Sequence, residues 1–129
     1  MKAIPFILLT LLSSSALANC YKVGDMAGYT VREQNDYALN TPSESKQVFE
    51  VTIDGKASGV SPSDIDCTLG GGNTLICFHV GEGGESVIET WALYPEQARA
   101  LYTKTINGYG TYNGGTLFVG TILGQCETP

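Results

Sequence analysis

The chain has 129 residues, 16 of them glycine and 7 tyrosine, with 13 Asp and Glu against 7 Lys and Arg for a formal net charge of −6. This acidic balance lacks the electrostatic footprint that nucleic acid or anionic lipid requires, and it points any charge-steered encounter toward a basic partner. The length holds one domain, near the small end of what a single core stabilises unaided, and a charged content of only 16% favours turns and amphipathic aromatic surfaces over long solvated helices.

The opening MKAIPFILLTLLSSSALANC carries one lysine, an apolar run from Ala3 to Leu12, and small residues at Ala16 and Ala18. This is the layout of a secretory signal peptide, and the run is too short to span a bilayer. Residues 1–18 are therefore expected to be removed. Residues 19–129 then form a single exported β-rich domain, periplasmic or secreted, with no transmembrane segment. Loss of Lys2 takes the charge from −6 to about −7. Leu17-Ala18-Asn19-Cys20 loosely resembles a bacterial lipobox, which would place lipid on Cys20. Asn19 stands where Gly, Ala or Ser is usual, so cleavage after Ala18 is the preferred reading.

After the leader, GYTVRE and DYAL are weak strand candidates. VFEVTI (48–53) alternates, with Phe49, Val51 and Ile53 on one face, and Asp54-Gly55 follows as a two-residue hairpin signal. Ser61-Pro62 breaks the next segment. Asp64 and Asp66 form an Asp-x-Asp pair, but Cys67 and Thr68 follow where a calcium loop would continue with an oxygen ligand and a glycine, so they read as turn caps.

CTLGGGNTLIC (67–77) folds about Gly72 as a hairpin that sets Cys67 opposite Cys77 and Leu69 opposite Leu75. Opposed residues at a non-hydrogen-bonded site lie within disulfide reach. Cys67–Cys77 and Cys20–Cys126 are the expected pairs, as an even cysteine count in a small exported domain suggests. Zinc would want closer ligand spacing, with only His79 nearby, and redox chemistry would want Cys-x-x-Cys. No metal or cofactor is expected.

TLICFHV (74–80) is apolar on both faces and reads as a central strand with both faces covered; on that reading Phe78→Ala costs about 3–5 kcal/mol. His79, the only histidine, falls at one end of an apolar face as a core or rim residue. Gly81-Glu82-Gly83-Gly84 turns the chain into SVIETWAL (86–93), in which Trp91 reads as core. Glu82, Glu85 and Glu89 would be the carboxylates of a glycoside-hydrolase-type pair, but a solvated loop is the preferred reading. YPEQARALYTKTING opens as a helical turn over 95–100 and continues as extended chain, because Tyr102, Thr103, Thr105 and Ile106 favour strands. TLFVGTIL (116–123) is again apolar on both faces, and Gly120 suggests a bulge or a sharp bend, as small barrels need at corners.

NGYGTYNGG (107–115) is read first as a long exposed hairpin loop, and its functional reading is a recognition loop. Tyr109 and Tyr112 supply rigid contact area, while Asn107, Asn113 and the glycines supply adaptable backbone.

Together these readings give an all-β, β-dominated fold: a small antiparallel barrel or sandwich with at most one short helix near 95–106 and two disulfides. One histidine and no nucleophile motif disfavour an enzyme. The expected function is that of a non-enzymatic exported binding protein acting on another protein, an inhibitor or immunity factor against a basic hydrolase. A small-molecule or glycan-binding β-barrel is the first alternative, and a carboxylate-based hydrolase the second.

Overall fold

The computed structural model describes residues 19–127; the leader assigned to residues 1–18 lies outside them. Nine strands follow in order: β1 (Asn19–Arg32), β2 (Pro42–Ser45), β3 (Phe49–Ile53), β4 (Gly59–Ser61), β5 (Cys67–Gly71), β6 (Thr74–Val80), β7 (Ser86–Tyr94), β8 (Arg99–Asn107) and β9 (Gly114–Gln125). All pairings are antiparallel, in the order β4-β3-β1-β9-β8-β7-β6-β5, with β2 alongside β1. The end strands β4 and β5 approach each other, so the sheet curls into a nearly closed barrel. The fold is all-β, with no helix of seven or more residues among those described.

Residues opposite each other across a ladder share a face. The register Leu75–Trp91–Tyr102–Phe118 therefore sends one side chain from each of β6, β7, β8 and β9 into the barrel. There Trp91, 1% exposed, stacks at tilted angles against Phe49 at 5.1 Å and Tyr102 at 4.6 Å. Val23, Met26, Val51, Val60, Cys77, Leu93 and Ala100 complete the core. Each aromatic pair adds about 0.5–1.5 kcal/mol beyond area burial. Among the described residues the Trp91 indole N–H has no hydrogen-bond partner, a cost of about 1–3 kcal/mol that this packing must offset.

Both disulfides join the expected cysteines. Cys67 lies opposite Cys77 and Leu69 opposite Leu75, about a tip at Gly72-Asn73. Cys20–Cys126 ties β1 to the residue that follows β9.

The local departures have physical causes. NCYKVGDMA hides the first half of β1, because a bulge at Gly24–Asp25 (Asp25 φ 51°) shifts the inward set from Tyr21 and Val23 to Met26. DYAL is not a strand: Asp36 and Tyr37 sit in the left-handed region and turn the chain. Asp54-Gly55 does not close a two-residue hairpin. Instead Ser58 Oγ accepts the Asp54 N–H at 2.9 Å and donates to the Gly55 carbonyl at 2.8 Å, rounding a longer connection. The helical turn after Tyr94 spans only Pro95–Gln97, and left-handed Ala98 returns the chain to β8. The bulge expected at Gly120 lies across the ladder in β1; a Cβ at Gly120 would stand 2.9 Å from Val23 and 3.1 Å from Met26, so glycine makes room for them.

One departure matters most. The expectation that β6 is covered on both faces does not hold: β6, and β9 with the same two-sided apolar pattern, are each covered on one. Phe78 is 51% exposed, and Ile76, Val80, Leu117 and Val119 are exposed as well.

Candidate functional site

The uncovered residues form one surface. Register places Ile76, Thr90, Thr103, Leu117 and Tyr29 in a row across five strands on the outside of the barrel. Phe78, Ile88, Thr105, Gly115 and Val31 make a second row, and Ala92, Leu101, Val119 and Ala27 a third. None of these residues is charged. Tyr29, Ile76, Phe78, Ile88, Leu117 and Val119 are each between 37% and 54% exposed. Thr90 and Thr103 hydrogen-bond to each other through their hydroxyls, so the middle of the face offers little polarity outward. Carboxylates stand at its margins. Glu44 lies beside Ala27 through β2, and Asp66 beside Phe78, whose N–H its carbonyl accepts at 3.0 Å. Glu82 occupies the turn beyond Val80; at the other end the next row is Tyr94, Arg99 and Thr121, where Arg99 donates to Thr121 Oγ1 at 3.1 Å and Glu96 lies in the turn between Tyr94 and Arg99. Contiguous exposed apolar surface rimmed by polar groups is what interaction sites look like.

The second surface is the mouth of the barrel, built from the inward faces of the same strands. Glu89 on β7 meets Lys104 on β8 at 3.8 Å. Arg32, at the end of β1, makes two long hydrogen bonds, to the Val31 carbonyl at 3.3 Å and to Thr116 Oγ1 at 3.4 Å. Tyr102 lies beneath, and burial followed by the adjacent Glu89 carboxylate pushes its phenol well above the usual range, against a smaller opposing effect of Arg32. The phenol stays protonated.

The tyrosine segment closes this mouth. Asn107 ends β8 and Gly114 begins β9, so the connection is shorter than the sequence suggested. A single 3-10 turn, Gly110–Tyr112, occupies it. Asn113 Oδ1 accepts the Tyr109 N–H at 2.7 Å, and the Asn113 carbonyl accepts the Glu33 N–H at 2.8 Å, which anchors the turn to the end of β1. Tyr109 is 39% and Tyr112 65% exposed. With Arg32, Val87, Lys104 and Ile106 they line an open recess of about 340 Å³. Of the four residues assigned to a recognition loop, the two tyrosines thus share a surface. Asn113 closes the turn with its side chain, and Asn107 lies exposed at the end of β8.

Neither Arg32 nor Lys104 was singled out from the sequence. The signal was faint: a basic residue in an otherwise apolar alternation, at Val31-Arg32 and at Tyr102-Thr103-Lys104-Thr105-Ile106. The remaining candidates are dispersed. His79 is exposed opposite Val87. Asp64 and Asp66 are exposed, Glu82 lies in a turn, and Glu89 is inside the barrel. Among the described residues, Cys20, Glu50 and Cys126 bring potential metal-ligand atoms together, but the two sulfurs are bonded to each other. No helix among the described residues is long and apolar enough to cross a membrane. Comparison with protein families, with characterised proteins and with solved structures returned no match.

Proposed function

We propose that this chain is an exported binding protein that acts on another protein without chemistry of its own, as an inhibitor or immunity factor against a basic hydrolase. The observation that carries this reading is the uncharged outer face of β1, β9, β8, β7 and β6 with carboxylates at its margins. Strand spacing and rise give the uncharged centre a footprint of about 300 Å². That suits the desolvated middle of a standard interface of about 800 Å² per partner, with the marginal carboxylates as its polar rim. A partner carrying Lys and Arg around an apolar centre matches both parts, and the acidic rim speeds its approach.

The tyrosine turn suits such a partner less well. Its two rings stand beside Arg32 and Lys104, so a basic surface docking there meets like charge. The contact is therefore assigned to the sheet face rather than to Tyr109 and Tyr112.

The test uses the mature, disulfide-bonded chain as bait for the exported proteins of the cell that produces it. Wild type is compared with Ile88→Lys/Leu117→Lys and with Tyr109→Ala/Tyr112→Ala. A basic protein that is retained by wild type and by the tyrosine variant, and lost by the lysine variant, is the expected result. Retention by all three, or loss only with the tyrosine variant, would refute this assignment of the face.

A further inference from the structure

The inner face of the same strands carries an independent inference. We propose that the barrel mouth is a binding site for a small aryl carboxylate, whose carboxylate pairs with Arg32 and whose ring lies against Val87, Ile106, Tyr109 and Tyr112.

The first reason is charge. Lys104 is matched by Glu89, whose side chain is only 12% exposed. Arg32, itself half-buried, lines the open recess and has no carboxylate within 4.0 Å among the described residues. Its two hydrogen bonds, at 3.3 and 3.4 Å, go to neutral oxygens and are both longer than an N–H···O bond prefers. A guanidinium offers five donors in a planar fork that matches a carboxylate bidentately. Withdrawing a cation from water without a counter-charge is costly, and a bound carboxylate relieves that cost. With Glu89 and Lys104 cancelling, the recess presents one net positive charge. A monoanion balances it, whereas a dianionic phosphate would place surplus negative charge near Glu89.

The second reason is shape. The recess, about 340 Å³, is at the small end of the range that ligand pockets occupy, about 300–1,000 Å³. Beneath it Trp91, Tyr102 and Phe118 fill the barrel, so a ligand goes no deeper than the Glu89–Lys104 layer. Its walls are two aliphatic side chains and two phenol rings, which suit a flat apolar body better than a hydrated chain. The third reason is preorganisation: the Asn113 and Glu33 hydrogen bonds hold the tyrosine turn in place, so little ordering entropy remains to oppose binding.

The mature chain, labelled with ¹⁵N, is titrated with benzoate, phenylacetate and 4-hydroxyphenylacetate, with acetate and phenylacetamide as controls. At least one aryl carboxylate is expected to shift the amides of 108–113 and the Arg32 Nε–H saturably, with a Kd of about 1 mM or tighter. Acetate and phenylacetamide should bind at least about tenfold more weakly. Arg32→Gln should lose binding with its unfolding curve unchanged, and Leu117→Lys on the outer face should retain it. Should Arg32→Gln not fold, Tyr112→Ala, which removes the most exposed ring of the lining, is expected to weaken the same ligand at least about fivefold. No saturable shift with any aryl carboxylate, equal binding of the amide or of acetate, or full binding by Arg32→Gln would overturn the proposal.

Discussion

Phe78→Ala separates the fold described here from the one its sequence pattern suggests. A fully covered phenylalanine costs about 3–5 kcal/mol on truncation, through lost transfer energy and the cavity left behind. Phe78 is 51% exposed on the outer face of β6, between Ile88 on β7 and the Asp66 segment. Burying a phenylalanine side chain completely is worth about 1.5–3 kcal/mol, so roughly half of that, about 1 kcal/mol, is at stake. No enclosed cavity forms, because water fills the vacated space. Losing an aromatic β-former adds a few tenths of a kcal/mol. The expected cost is about 1–1.5 kcal/mol, against about 2–5 kcal/mol for Leu75→Ala three positions earlier, where the side chain is 0% exposed. Urea denaturation of residues 19–129 with both disulfides intact measures both, with an unchanged m-value confirming that each variant unfolds from the same compact state. A cost near that of Leu75→Ala would mean that the outer face is covered in the isolated protein, and would refute the exposure on which the proposed interface rests.

The two disulfides should differ in weight. Cys67 and Cys77 close a separation of 10 residues and Cys20 and Cys126 one of 106, so replacing the first pair with alanine costs on the order of 3 kcal/mol and the second about 4–5 kcal/mol; the reverse order in chemical denaturation would contradict the chain-entropy account. Tyr102 should make the protein sensitive to alkali. Its phenol is held above the ordinary value of 10.0 chiefly by burial and next by Glu89, so its contribution to stability is fully present below about pH 10 and is lost as pH rises above it. Thermal unfolding should fall more steeply above pH 10 for wild type than for Tyr102→Phe, and parallel curves would show that the phenol is not perturbed.

Much of this architecture is legible in the residues, and what is hidden shares a cause. Cys67, Leu69, Leu75 and Cys77 find their partners because a short hairpin about Gly72 leaves the chain one simple register. Phe49, Val51 and Trp91 announce the core by alternation within single strands. The first half of β1 stays hidden because its bulge at Asp25 breaks that alternation, and no local propensity marks a bulge whose purpose is to turn a barrel corner. The outer face stays hidden for a different reason. Ile76, Phe78, Leu117 and Val119 carry the mark of burial in their side chains, and only the topology reveals that nothing among the described residues covers them. An apolar residue says that it prefers to be dry, not which molecule dries it. The mouth is harder still. Arg32 and Lys104 come from opposite ends of the chain and meet only because β1 and β8 both pair with β9. Tyr109 and Tyr112 were noticeable by composition, yet the cations beside them, which set the sign of any ligand, were not.

The central claim, that the carboxylate-rimmed outer face binds a basic protein, is tested most directly by calorimetric affinity for the partner captured with the wild-type chain. Lysines at 88 and 117 place charge in the desolvated middle of the contact, so Ile88→Lys/Leu117→Lys should weaken binding on the order of a hundredfold, about 2.7 kcal/mol, while its unfolding midpoint changes little. Tyr109→Ala/Tyr112→Ala should change affinity by less than about threefold, or about 0.7 kcal/mol. Undiminished affinity in the lysine variant, or a large loss confined to the tyrosine variant, would contradict the claim and move the interface from the sheet face to the barrel mouth.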